Sequence, residues 1–198
     1  FLFFIIDELV KQKVERIILC VGYRSDDVIL AIKQKYKNNS VNIDFSIEDY
    51  PLGTGGAVNL AQNICKGNDI LVLNGDTFNE FSVRELVEFH HLEKNNVTIL
   101  VKSAPSTSRY GLVTLDTKKN VLSFTEKDPC SDKPGLINAG VYIFSKTIFK
   151  KIDEEVYSLE ENLLPKMIGN KIKALFSEGI FIDIGVPEDY EKANKINL

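Results

Sequence analysis

Cysteine and histidine are scarce: three cysteines and two histidines in 198 residues. Cys20, Cys65 and Cys130 show no C-x-x-C spacing and have no histidine close by in sequence. A disulfide framework and a structural zinc site are therefore poor readings, and the thiols fit a reduced, cytoplasmic protein. Basic charge is also short. Lys and Arg number 24 against 28 Asp and Glu, giving a net charge of -4 and a pI near 5.3. With the cations scattered, no electrostatic footprint for a phosphate backbone exists, and no nucleic-acid partner is expected. No apolar run approaches the roughly 18 to 20 residues of a membrane span. The apolar segment 1–6 lacks a basic leader region and is followed at once by Asp7 and Glu8, so it reads as a helix face rather than a signal peptide. Internal repeats and disordered linkers are absent too.

What is present suits one domain. A hydrophobic content of 44% and a charged content of 26% are globular values, and 198 residues support a single core spanning 1–198. Apolar periodicity predicts a helix over 1–11 and a buried strand over 16–21. A helix capped by Ser25 or Asp26 then runs to about Tyr36, and an alternating strand covers 41–47. The loop 48–56 leads into a helix over 57–65, a buried strand over 69–73 and a helix over 83–92. This alternation predicts a parallel sheet covered on both faces, becoming mixed after about residue 100. Farther on, strands are expected over 97–102, 111–115, 121–126 and 135–144, with turn-rich stretches at 104–108 and 128–134. Helices over 146–152, 160–168 and 188–196 frame two last strands over 172–176 and 180–184.

Four stretches carry chemically useful residues. Gly53, Thr54, Gly55 and Gly56 precede a helix, where glycines let backbone approach a neighbour closely. The stretch is neither a dinucleotide fingerprint nor a Walker A loop, and it reads equally as a structural turn or a ligand loop. Asp76 ends the buried strand through Asn74 and Gly75, the place where ligands of open α/β sheets bind. It suits Mg²⁺, or alternatively an Asx-turn. Asp183 stands in an apolar strand before Gly185, where an unpaired charge is costly, and a cation shared with Asp76 would satisfy both. Glu126 and Lys127 are adjacent at a strand end. They face one target only if the strand bends there; otherwise they form a solvated pair. His90 and His91 read as surface or packing residues.

Taken in order, these segments resemble the sugar-1-phosphate nucleotidyltransferase family. The motifs are Pro51-Leu52-Gly53-Thr54-Gly55-Gly56-Ala57, Leu73-Asn74-Gly75-Asp76, Tyr110-Gly111, Phe124-Thr125-Glu126-Lys127, Asn138-Ala139-Gly140-Val141-Tyr142, and Asp183-Ile184-Gly185-Val186-Pro187 with Tyr190. The flavour is nearest to the bacterial D-glycero-α-D-manno-heptose 1-phosphate and mannose 1-phosphate guanylyltransferases. The resemblance implies a Rossmann-like three-layer α/β/α fold with a mixed, mostly parallel central sheet. It implies transfer of a nucleotidyl group from a nucleoside triphosphate to a sugar 1-phosphate, with pyrophosphate released, in cell-surface polysaccharide precursor synthesis. Mg²⁺ would lie on Asp76 and Asp183, and Gly53, Thr54 and Gly55 beside the nucleobase. Tyr110, Gly111, Glu126 and Asn138 would meet the sugar, and Lys127 its phosphate. Catalysis would rest on Asp76, Lys127 and Asp183. A homo-oligomer is compatible with the resemblance, and no organic cofactor is implied.

The family also opens with a strand, a Gly-rich loop carrying an Arg, and a Pro-Lys element, for which no residues stand before Phe1. The expectation is an N-terminally incomplete domain, short by about 25 to 30 residues, the size of one βα unit. Its first strand would belong between the strands at 16–21 and 69–73. A non-catalytic sugar-phosphate-binding or partner subunit is the alternative reading.

Overall fold

The computed structural model describes residues 1–125 and 133–193. Helix and strand alternate at first: α1 (Leu2–Lys11), β1 (Arg16–Val21), α2 (Ser25–Lys35), β2 (Asn42–Ile47), α3 (Gly53–Ala61), β3 (Asp69–Leu73), a short β4 (Thr77–Asn79) and α4 (Val83–Leu92). Strands then dominate: β5 (Val97–Ala104), β6 (Leu112–Leu115), β7 (Val121–Thr125) and β8 (Gly135–Ser145). A 3-10 turn (Lys146–Lys151) and a π-helical turn (Leu159–Leu163) lead into α5 (Leu164–Met167), β9 (Ile172–Phe176), β10 (Phe181–Asp183) and α6 (Pro187–Ala193).

The main sheet runs β7-β6-β8-β5-β9, with β3 also paired to β8. β8 is long enough to hold β5 along one edge while β3 and β6 share the other. Antiparallel pairing of β3, β5 and β6 to β8, and parallel pairing of β9 to β5, give β3, β5, β6 and β9 one direction. The sheet is thus mixed, as expected. Most of its strands run alike, yet most ladders are antiparallel because reversed β8 stands in the middle. β1 and β2 form a separate parallel pair, Arg16 opposite Asn42 through Val21 opposite Ile47. Among the described residues β1 pairs only with β2, and β3 only with β8. The two strands on either side of the expected first strand therefore share no ladder.

Side-chain alternation builds the layers. Tyr142 and Phe144 of β8 join Val97, Ile99 and Val101 of β5 beneath Phe149, Leu159, Leu163 and Leu164. Ala139, Val141 and Ile143 point the other way, onto Leu86 of α4 together with Leu100. Both sheet faces are covered, which explains the nearly continuous apolar run of β5. α1 and α2 pack their apolar stripes, among them Ile5, Ile6, Leu9 and Ile32, over β1 and β2. α4 starts on a sequence-legible cap, Ser82 Oγ accepting from the Glu85 N–H at 3.2 Å.

Candidate active site

The glycines of the 53–56 stretch answer to protein rather than to open space. α3 begins at Gly53, four residues earlier than the sequence pattern predicts, so the glycines form its first turn. Their N–H groups find an acceptor far along the chain: Gly55 and Gly56 donate to the Tyr157 carbonyl at 2.9 and 3.2 Å, and the Tyr157 N–H donates to the Leu52 carbonyl at 3.0 Å. A methyl on Gly55 would stand 2.2 Å from the Tyr157 ring, and one on Gly56 2.3 Å from the Glu155 carbonyl oxygen. Gly53 has φ +72° and would meet the Tyr157 carbonyl at 2.7 Å. Of the two readings of this stretch, close approach of another chain segment accounts for all three glycines.

That contact sets up a polar relay along one wall. The Thr54 hydroxyl donates to Glu160 Oε2 and accepts from the Leu159 N–H, both at 2.8 Å. Ser158 caps the following turn, accepting from the Glu160 and Glu161 N–H groups, and its hydroxyl donates to Glu160 Oε2 at 3.1 Å. Glu160 Oε1 accepts from the Tyr142 hydroxyl at 2.9 Å, which itself accepts from Asn138 Nδ2 at 2.6 Å. Asn138 and Tyr142 are four apart in β8 and so share a face. A single carboxylate thus links Thr54 to Asn138 across 84 residues of sequence. Glu160 escapes sequence reasoning because a carboxylate in the first turn of a helix ordinarily reads as favourable helix-end charge. The serine two residues before it is the available signal.

The two aspartates meet at the ribbon of β4 and β10. Thr77 stands opposite Asp183, and the Ile184 N–H donates to the Asp76 carbonyl at 3.0 Å. Asp76 is solvent-exposed, and its Oδ1 accepts from the Thr77 hydroxyl at 3.1 Å. Asp183 Oδ1 accepts from the Gly185 N–H at 2.7 Å and lies 3.9 Å from Arg109 Nη2. Its charge therefore has local partners that the sequence pattern hides. Two carboxylates on adjacent backbone, with oxygen donors only, suit a hard divalent cation that takes its remaining ligands from phosphate and water. Among the described residues no cluster of three or more His, Cys, Asp or Glu side chains could hold a metal by itself.

A cleft of about 290 Å³ opens between these parts. Thr54, Tyr110, Gly111, Asn138 and Asp183 line it, as do Asn74, Thr77, Arg109, Gly140, Ser158, Glu160, Glu161 and Phe181. Asp76, Gly53 and Gly55 are not among the lining residues. Glu126 and Lys127 lie outside the described residues. Tyr110 packs edge-on against Phe181, ring centroids 5.4 Å apart. Gly140, at φ +70°, brings its carbonyl to the Asn74 N–H at 2.9 Å and leaves room for the Asn74 amide. His90 and His91 are remote: His90 is buried on Thr98, and exposed His91 binds Asp69 at 3.0 Å.

The family pattern of nucleotidyl transferases matches residues 2–198. The chain belongs to that family. A D-glycero-alpha-D-manno-heptose 1-phosphate guanylyltransferase of Campylobacter jejuni is 38% identical over 193 residues, 96% of this chain and 82% of the relative. A mannose-1-phosphate guanyltransferase of Debaryomyces hansenii is 33% identical over 93% of this chain, which spans 52% of that relative. The crystal structure of HddC from Yersinia pseudotuberculosis superposes with a TM-score of 0.89 at 35% identity, covering 98% of this chain and 84% of that one. Its complex with GMP-PN gives a TM-score of 0.87 at the same identity and coverage. No helix among the described residues is long and apolar enough to cross a membrane.

Proposed function

We propose that this chain is the catalytic domain of a sugar-1-phosphate guanylyltransferase, joining GTP to a heptose or mannose 1-phosphate and releasing pyrophosphate. The observation that carries the reading is the β4–β10 ribbon, which brings the backbone at Asp76 against the strand of Asp183, beside a cleft lined by Asp183, Tyr110, Gly111 and Asn138. The choice of base and sugar follows the names of the relatives, and a cytoplasmic role in polysaccharide precursor synthesis fits the same reading.

In this mechanism Asn138 takes a sugar hydroxyl, its amide held in place by Tyr142 and, through it, Glu160. Tyr110 and Gly111 close on the sugar from the facing loop, and Thr54, fixed at the head of α3, flanks the base. A sugar-phosphate oxygen attacks the α-phosphorus in line. The new P–O bond forms as the bond to the β-phosphate bridging oxygen breaks, and pyrophosphate leaves with that electron pair. Asp76 and Asp183 would hold Mg²⁺, which when bound neutralises the charge that accumulates on the phosphate oxygens. Glu126 on the sugar and Lys127 on its phosphate complete the proposal by family resemblance.

Pyrophosphate release by the full-length protein tests it, with GTP, ATP, UTP, CTP and dTTP each offered against D-glycero-α-D-manno-heptose 1-phosphate and α-D-mannose 1-phosphate. Turnover fastest with GTP is expected. Binding without turnover by any pair would replace the enzyme with a sugar-phosphate-binding subunit.

A further inference from the structure

Three carboxylates line the cleft, Asp183, Glu160 and Glu161, and Arg109 is its one cation among the described residues. Both proposed substrates are polyanions, so the wall as it stands repels what it must hold. Arg109 comes from the loop between β5 and β6, directly before Tyr110. Its Nη1 donates to Asp189 of α6 at 2.6 Å, and its Nη2 lies 3.9 Å from Asp183. The guanidinium carbon rests 5.7 Å from the Tyr110 ring centroid, and that ring abuts Phe181. The head is thus oriented at the cleft by an aromatic platform and two carboxylates.

The Arg109 side chain is 44% exposed, so its head stays open to a competing anion while it is paired with Asp189, whose side chain is 17% exposed. A phosphate competes well for such a cation, because the planar guanidinium fork meets two phosphate oxygens at once. We propose that Arg109 is a substrate-binding residue that grips the phosphate of the sugar 1-phosphate, and that Asp189 is its resting partner, holding the head at the cleft until the anion takes it over. The inference rests on the sugar-phosphate reading above and adds to it a cation that no motif of the chain marks.

Calorimetric titration of α-D-mannose 1-phosphate into the full-length protein and into Arg109→Gln, Arg109→Lys and Asp189→Asn tests the proposal. Arg109→Gln should weaken binding at least 10-fold and Arg109→Lys by less, while GTP affinity shifts under threefold in both. Asp189→Asn should bind as tightly as the parent or a few-fold tighter, since the anion no longer displaces a carboxylate. Parent-like binding by Arg109→Gln would overturn the role of Arg109 and leave the sugar-phosphate reading standing. Equal weakening in Arg109→Gln and Asp189→Asn would make the pair a structural tie, and the proposal would fall. A parent protein that binds neither α-D-mannose 1-phosphate nor the heptose analogue would remove both readings together.

Discussion

Gly55→Ala offers a direct physical test of how the glycine stretch works. The added methyl would lie 2.2 Å from Tyr157 Cε2 and 2.3 Å from Cδ2, more than 1 Å inside ordinary contact. The ring has little freedom to retreat, being 6% exposed within the main core. Overpacking of this kind costs about 1–3 kcal/mol. Displacing the 157 segment also weakens two hydrogen bonds to its carbonyl, each worth about 0.5–1.5 kcal/mol. Against this, alanine in a helix gains about 0.5–1 kcal/mol over glycine. Because those bonds are strained rather than lost, their partial weakening roughly offsets the alanine gain, and the net expectation is a loss of about 1–3 kcal/mol. For a chain of this length that lowers Tm by about 3–10 °C. Guanidinium chloride unfolding of the full-length protein reads the loss, with Gly75→Ala as control, because a methyl there meets nothing within 4 Å. Tyr157→Leu should recover part of the loss in the Gly55→Ala background, since the smaller side chain vacates the contested space. Gly55→Ala matching Gly75→Ala, or costs of Gly55→Ala and Tyr157→Leu that simply add, would refute the argument.

The relay wall makes a second prediction: Tyr142→Phe leaves Asn138 and Glu160 each short of one partner, at a stability loss of about 1–3 kcal/mol, and should raise KM for the sugar phosphate more than KM for GTP. Asp76→Asn and Asp183→Asn should each abolish turnover while circular dichroism and Tm stay close to the parent; retained turnover in both would show the metal site misplaced. Stability should also depend on His90. Burial holds its imidazole below the ordinary value, a loss that the nearby Asp69 only partly offsets. The unfolded chain then binds more protons than the folded one below about pH 6.5, so stability falls as pH drops through that value toward the lower folded pKa. Asp69 stays ionised in this window: burial opposes its charge, but hydrogen bonds from His91 and Ser145 outweigh that and keep it below the usual range. The stability loss between pH 7.5 and 5.5 should shrink in His90→Gln.

Much of the fold could be read directly from apolar periodicity. β1, β3, α4 and β9 run where the pattern predicts, because each is a buried strand or an amphipathic helix bounded by a turn. α3 begins early because its first turn is completed by the Tyr157 carbonyl, about 100 residues away, which no local window contains. β4 is three residues long and exists only through its pairing with β10. The predicted helix over 160–168 splits into a π turn and α5, as Ser158 and Thr54 claim the groups of its first turn. Site legibility follows the same division. Asp76 and Asp183 stand at strand ends, where position argues for a ligand, whereas Tyr110, Gly111 and Asn138 are marked only by the family resemblance. Arg109 and Glu160 are ordinary surface charges in one dimension and become cleft residues only when β6, β10 and α3 converge.

The proposed chemistry centres on one divalent ion shared by two strand-end carboxylates beside the cleft. Anomalous diffraction from crystals of the full-length protein grown with Mn²⁺ and a non-hydrolysable GTP analogue would locate it. The prediction is a single strong peak within coordination distance of both Asp76 and Asp183; a peak bound elsewhere, with the two carboxylates turned apart, would contradict it.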